Sequence, residues 1–131
     1  MTLLVPDVGE AEMLTRILKD VENSVLKLYT NDHSPAEADT VSAYSEASGN
    51  GYAEKVLTKS SWSVATSAGT TEGDYAQQTW TFTGALGNVY GYYITNAAET
   101  TLLWAERFTD GPYNIQNNGD QIKVTPKIQL A

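Results

Sequence analysis

The stretch "DQIKVTPKIQLA", residues 120–131, decides how the rest of the chain reads. Ile122, Val124, Ile128 and Leu130 fall on one parity, and Lys123, Thr125, Lys127 and Gln129 on the other. Successive side chains leave a pleated backbone on opposite sides, so this period of two marks a strand with one dry face and one wet face. Pro126 sits inside it and has no N–H to give a ladder, which predicts an edge strand or a bulge. Edge strands are blocked or used for pairing. Blocking is the ordinary case, and pairing would place this stretch at a subunit contact. A strand that runs to the last residue but one also predicts a chain without an appended tail or effector, whose sheet and loops are the working surface.

The same rhythm recurs upstream. Thr79 to Thr83 alternates, with Trp80 and Phe82 inward. Val89 to Thr95 reads as a tyrosine-rich strand and Thr101 to Phe108 as another, with turns at 84–88 and 96–100 and a polar loop at 110–119. Shorter strands are expected at Val25–Tyr29, Glu54–Leu57 and Trp62–Thr66. Residues 31–35 form a turn cluster, 36–51 an extended loop with strand character at 40–44, and 67–73 a polar turn. Strands at this spacing, separated by Gly, Asn and Asp, predict a mainly β fold: an antiparallel, jelly-roll-like sandwich over about 25–131.

Ahead of the strands lies one helical pattern, about 7–22. Leu14, Ile17, Leu18 and Val21 recur at i, i+3, i+4 and i+7, which predicts an amphipathic helix. Asp7 is the expected N-cap, with Glu10 close to a capping-box position. Helix and sandwich together make one domain of 131 residues.

Composition narrows function. There is no cysteine, so neither disulfides nor thiolate chemistry is available. Sixteen acidic against eight basic residues give a net charge of -8, and the cations are scattered. That argues against a nucleic-acid partner, which needs clustered Lys and Arg. No stretch reaches the roughly 20 apolar residues of a membrane span, and MTLLVPDVGEAEM lacks the basic start and apolar run of a signal peptide. No membrane partner is expected.

No constellation announces catalysis. "NDHSPAEAD" gathers Asp32, His33, Glu37 and Asp39, but at no metal-ligand spacing. Asp110, Asn118 and Asp120 flank a loop without the ligand pattern of an EF-hand. No G-x-S-x-G elbow occurs, and Gly87-x-x-x-Gly91 has no helix after it. Glu99 and Glu106 are the carboxylates a hydrolase reading would pair, with Glu106 expected to be partly buried. The expectation is a non-enzyme with no catalytic residues, no metal and no cofactor.

Candidate contact residues are better defined. Tyr90, Tyr92 and Tyr93 share one strand, whose neighbours point to opposite faces, so at least one of them is expected outside the core. Trp62, between serines, is the tryptophan expected to be exposed. Lys123 and Lys127 lie on the wet face of the closing stretch. These six are the candidate interface.

The segments "LLVPDVGEAEML", "LKLYTND", "GYAEKVLTKSSW", "VYGYYIT", "LLWAERF" and "GDQIKVTPKIQL" resemble, in order and over nearly the whole chain, small virion proteins of tailed bacteriophages, particularly phages of aquatic bacteria. The resemblance implies a structural role and carries over no catalytic residue. One form is a capsid decoration (cement) protein, commonly a homotrimer. It is made in the host cytoplasm and sits on the capsid outer surface, where it clamps neighbouring major capsid protein subunits. The alternative is a tail or head-fibre component that contacts the host surface, with a glycan as the candidate target. An enzyme such as a glycan hydrolase is the reading from a different class, and a carboxylate pair in a cleft would mark it.

Overall fold

A computed structural model describes residues 2–130. One helix, α1 (Asp7–Thr15), leads into a π-helical turn at Arg16–Asp20. The strands follow: β1 (Ser24–Tyr29), β2 (Lys55–Leu57), β3 (Ser63–Ser67), β4 (Thr70–Asp74), β5 (Gln78–Thr81), β6 (Gly87–Val89), β7 (Gly91–Thr95), β8 (Leu102–Arg107), β9 (Tyr113–Ile115), β10 (Gln121–Val124) and β11 (Lys127–Leu130). All pairings between them are antiparallel. They form sheets in the orders β2-β1-β7-β8, β11-β4-β3, β10-β5 and β6-β9. A mainly β, antiparallel fold with an N-terminal helix is what the period-two pattern predicts. These orders do not by themselves make a jelly roll.

The closing stretch is two strands that serve different sheets. Ile122 pairs with Trp80 on β5, whereas Ile128 pairs with Gly73 on β4. Pro126 stands at the crossing, where no ladder N–H is required of it. Its carbonyl accepts from the Tyr75 amide at 3.0 Å. The parity survives the crossing: Ile122, Val124 and Pro126 are buried, while Lys123, Thr125 and Lys127 are exposed.

One core joins the layers. Leu26, Leu28, Tyr92 and Ile94 come from the four-stranded sheet, Trp80, Phe82, Ile122 and Val124 from across it, and Leu14 and Leu18 from the helical segment. The second face of β1 and β7 is also covered. The loop after β1 folds back, and Tyr44 packs on Tyr29 edge-on and on Tyr93 face to face, at 4.9 and 5.0 Å between ring centres. Every residue of β1 and β7 is therefore buried. Gly91 permits this: a Cβ there would strike the Glu106 carbonyl and lie 2.7 Å from the Tyr29 ring.

Several elements differ from the sequence reading. Residues 67–73, read as a polar turn, are most of the β3–β4 hairpin, whose tip is Ala68-Gly69 at φ 51° and 82°. Two positive φ values suit the tight turn of a two-residue hairpin. Its buried positions on β4, Thr71 and Gly73, carry no apolar signal. β9 lies inside the segment read as a polar loop, and β6 spans the end of the segment read as a turn and the first residue of the strand read at 89–95. Strand character at 40–44 gives way to a 3₁₀ turn at Val41–Ala43.

The helix carries the largest correction. Asp7 is not its cap: Pro6 is, without a side-chain bond, and Glu10 is buried, accepting from the Thr71 hydroxyl at 3.0 Å. Of the expected stripe, Leu14 and Leu18 are buried, but Ile17 and Val21 are 54% and 66% exposed. The π turn is the cause. At 3.6 residues per turn, positions 17 and 21 lie on the same side as 14. A π turn holds roughly 4.4, which keeps 18 under 14 and swings 17 and 21 away. Leu18 then seats directly over Gly73, where any Cβ would collide with it.

Candidate functional site

Three places gather the side chains that could do something: a cavity at the β10–β11 crossing, a buried lysine on the four-stranded sheet, and a series of exposed apolar side chains along the N-terminal arm and helix.

The crossing cavity encloses about 390 Å³ and is lined by Tyr92, Glu106, Phe108, Lys123, Thr125 and Lys127, with Val124. It exists because β10 and β11 diverge here beside the β7–β8 edge. It brings together Tyr92, Lys123 and Lys127, three of the six candidates. The Tyr92 hydroxyl donates to Glu106 at 3.3 Å. Burial, then the Glu106 charge, pushes the Tyr92 hydroxyl well above the ordinary phenol range. Lys127 is ion-paired with Glu72, and Asp74 lies 3.9 Å away. The hydrogen bond from Lys127 holds the Glu72 carboxyl low, and the same contact raises Lys127.

The other candidates lie elsewhere. Trp62 is buried at 1% exposure, not exposed as its serine neighbours suggested. It precedes β3 and does not belong to it, so strand parity does not govern it. Its ring meets Tyr75 and Trp104 edge-on at 5.2 and 6.0 Å. Tyr92 and Tyr93 point to opposite faces as expected, yet both are buried because both faces are covered. Burial raises the Tyr93 hydroxyl to about 12. Tyr90 is half-buried, with the Arg107 guanidinium 5.2 Å from its ring centre.

The polar loops satisfy themselves. Asp39 accepts from the Tyr44 hydroxyl at 2.7 Å and the Ala36 amide at 2.9 Å, and lies 2.8 Å from His33 Nε2. His33, then Ala36 and Tyr44, hold its carboxyl down at about 2. Asp32 turns away to pair with Arg107 at 2.7 Å. Asp120 accepts from the amides of Gln116 and Asn117, both at 3.0 Å, and Asp110 accepts from the Tyr113 hydroxyl. Among the described residues, no three His, Cys, Asp or Glu side chains are placed to hold a metal ion. Glu106 is exposed, contrary to expectation. Glu99 is bound up with Lys27.

Lys27 is the functional-looking residue that the sequence reading passed over. Its side chain is only 8% exposed, on β1, and it pairs with Glu99 and, at 3.3 Å, with Glu46. Burial alone would lower its pKa; the hydrogen bonds to Glu99 and Glu46 outweigh that and raise it. Lys27 in turn lowers Glu99, whereas desolvation and the Glu99 charge raise Glu54. Glu99 takes φ 61°, a left-handed backbone uncommon outside glycine. The signal was present: in "SVLKLY" the lysine shares parity with Val25 and Tyr29. The cluster ties the loops after β1 and β7 to the sheet. Chemically it is a closed ion-pair network, since its one cation is already shared.

The exposed apolar series is different in kind. Leu3, Leu4 and Val8 are 90%, 80% and 79% exposed, and Met13, Ile17 and Val21 at least half. Ile17 and Val21 meet Leu103 of β8 across a groove of about 180 Å³. Large apolar side chains displayed together on one segment mark a contact surface.

Compared with protein-family models, with curated proteins and with solved structures, the chain matches none of them.

Proposed function

We propose that this protein is a non-enzymatic assembly subunit that binds a neighbouring protein through its N-terminal arm and helix. The observation that carries this is the exposed apolar series Leu3, Leu4, Val8, Met13, Ile17 and Val21, with the fold's core built elsewhere. The resemblance gives the assembly its identity. The protein is a virion subunit, a decoration (cement) protein that clamps adjacent major capsid protein subunits on the outer capsid surface. Many copies, each making a modest apolar contact, add up to large reinforcement of a shell. A homotrimer at each position suits that task.

The crossing cavity favours a second reading, a tail or head-fibre component that contacts a glycan. Aromatic faces from Tyr92 and Phe108 beside Glu106, Lys123 and Lys127 are the residue types that stack on and hydrogen-bond to a sugar ring. Quantitative mass spectrometry of the purified particle separates the two. Copies numbering in the hundreds, in fixed ratio to the shell subunit, are expected of a decoration protein. A few dozen or fewer would move the chain to the tail or a fibre, and absence from the particle would overturn both.

A further inference from the structure

The cavity at the β10–β11 crossing keeps polar groups that the chain's own bonds do not use. Tyr92 and Val124, each 5% exposed, form its floor, and Phe108 stands beside them. Phe108 stacks on Tyr113 at 4.5 Å and is inclined to Tyr92 at 6.4 Å between ring centres, so two aromatic rings meet in a fixed corner. Glu106, Lys123, Thr125 and Lys127 are exposed around it. Lys127 is committed to Glu72, with Asp74 nearby, and has no charge to spare. Lys123 has no ion-pair partner among the described residues. Glu106 accepts from Tyr92 through Oε2, which holds the carboxylate in place and leaves Oε1 open.

These unused groups define a ligand. A cation without a counter-charge selects an anionic group, and the bond between them is charge-assisted. A carboxylate oxygen selects an O–H or N–H donor. An aromatic corner selects a flat apolar face. At about 390 Å³ the space lies near the small end of the roughly 300–1,000 Å³ of ligand clefts, the scale of one or two sugar rings. A neutral sugar leaves Lys123 unused. A polyphosphate brings more negative charge than one free lysine can hold beside Glu106, on a chain of net charge -8. A single carboxylate on a hydroxylated ring matches all three groups.

We propose that the crossing cavity binds an acidic sugar: a hexuronic acid residue whose carboxylate pairs with Lys123, whose ring hydroxyls donate to Glu106 Oε1, and whose C–H face lies on Phe108 and Tyr92. This rests on the glycan reading above and names the class of sugar. The acceptor and the aromatic corner are held by the Tyr92 and Tyr113 contacts before a sugar arrives, so little ordering is left for binding to bring about.

Amide NMR titrations of the full chain test it with matched probes: the methyl glycosides of glucuronic and galacturonic acid, and those of glucose and galactose, each acid differing from its neutral counterpart only in the carboxylate. At least one acid is expected to bind in the millimolar range, to shift the signals of residues 106–108 and 123–127 together, and to bind about fivefold or more tightly than its neutral counterpart. Lys123 is exposed, so Lys123→Gln is expected to leave the spectrum outside the cavity unchanged and to bring acid and neutral affinities level. Equal binding of acid and neutral sugars by wild type would overturn the acidic assignment and leave the glycan reading standing. Binding of none of the four, or an acid preference that survives Lys123→Gln, would overturn the proposal. The tail or fibre placement fails separately, on a particle copy number in the hundreds.

Discussion

Leu18 and Ile17 are neighbours in the chain, and the π turn assigns them opposite fates. Leu18 is 3% exposed and lies against Gly73, while Ile17 is 54% exposed. Leu18→Ala removes three carbons from the core at about 0.8 kcal/mol each, or about 2.4 kcal/mol in transfer terms. The helix is anchored by β-strand contacts and cannot collapse fully into the gap, so the cavity term lifts the loss to about 3–4 kcal/mol. For a chain of this size that corresponds to a fall in Tm of roughly 10–15 °C. Ile17→Ala leaves no cavity and is expected to cost below about 1 kcal/mol. Urea unfolding followed by tryptophan fluorescence reads both on one scale. Equal losses at the two positions would refute the phase change at the π turn, because an unbroken α-helix buries 17 and 18 alike.

The remaining predictions concern the polar clusters and a glycine. Lys27→Met leaves Glu46, Glu54 and Glu99 facing one another without a cation; with those carboxylates partly solvated, a loss on the order of 2 kcal/mol is expected in the same urea assay, shrinking as pH falls and they protonate. Asp39 is depressed from 3.8 to about 2, so its stabilising contribution is whole above pH 3.8 and is lost as pH falls to about 2. Its carboxyl resonance by NMR should titrate near that lower value, and a midpoint at the ordinary value would contradict the His33, Ala36 and Tyr44 contacts. Gly91→Ala drives a methyl into the Glu106 carbonyl and the Tyr29 ring; a loss of about 2 kcal/mol or more is expected, and a neutral result would mean that Tyr29 does not cover β7.

Legibility in the sequence followed how strongly a residue's burial was announced by its neighbours. Trp80 and Phe82 alternate with threonine and were read correctly, as was the parity of Ile122 and Val124. Thr71 and Gly73 are buried without being apolar, so β4 was invisible to a hydrophobic period. Tyr93 could be assigned to a face, but not to burial, because the loop that covers it comes from residues far away in the chain. Ile17 and Val21 were misassigned because the period was taken as 3.6 throughout, and no residue in "RILKD" announces a π turn. The crossing cavity shows a partial success. Tyr92, Lys123 and Lys127 were singled out one by one, yet nothing in a linear pattern says that they share a wall.

The most direct measurement on the assembly claim replaces the exposed apolar series itself. A Leu4→Ser/Val8→Ser/Ile17→Ser variant changes only exposed positions, so its thermal melt is expected to match wild type. Quantitative mass spectrometry of purified particles is expected to find far fewer copies of this variant per shell subunit than of wild type. Incorporation at the wild-type level by the folded variant would contradict a contact made through the arm and helix.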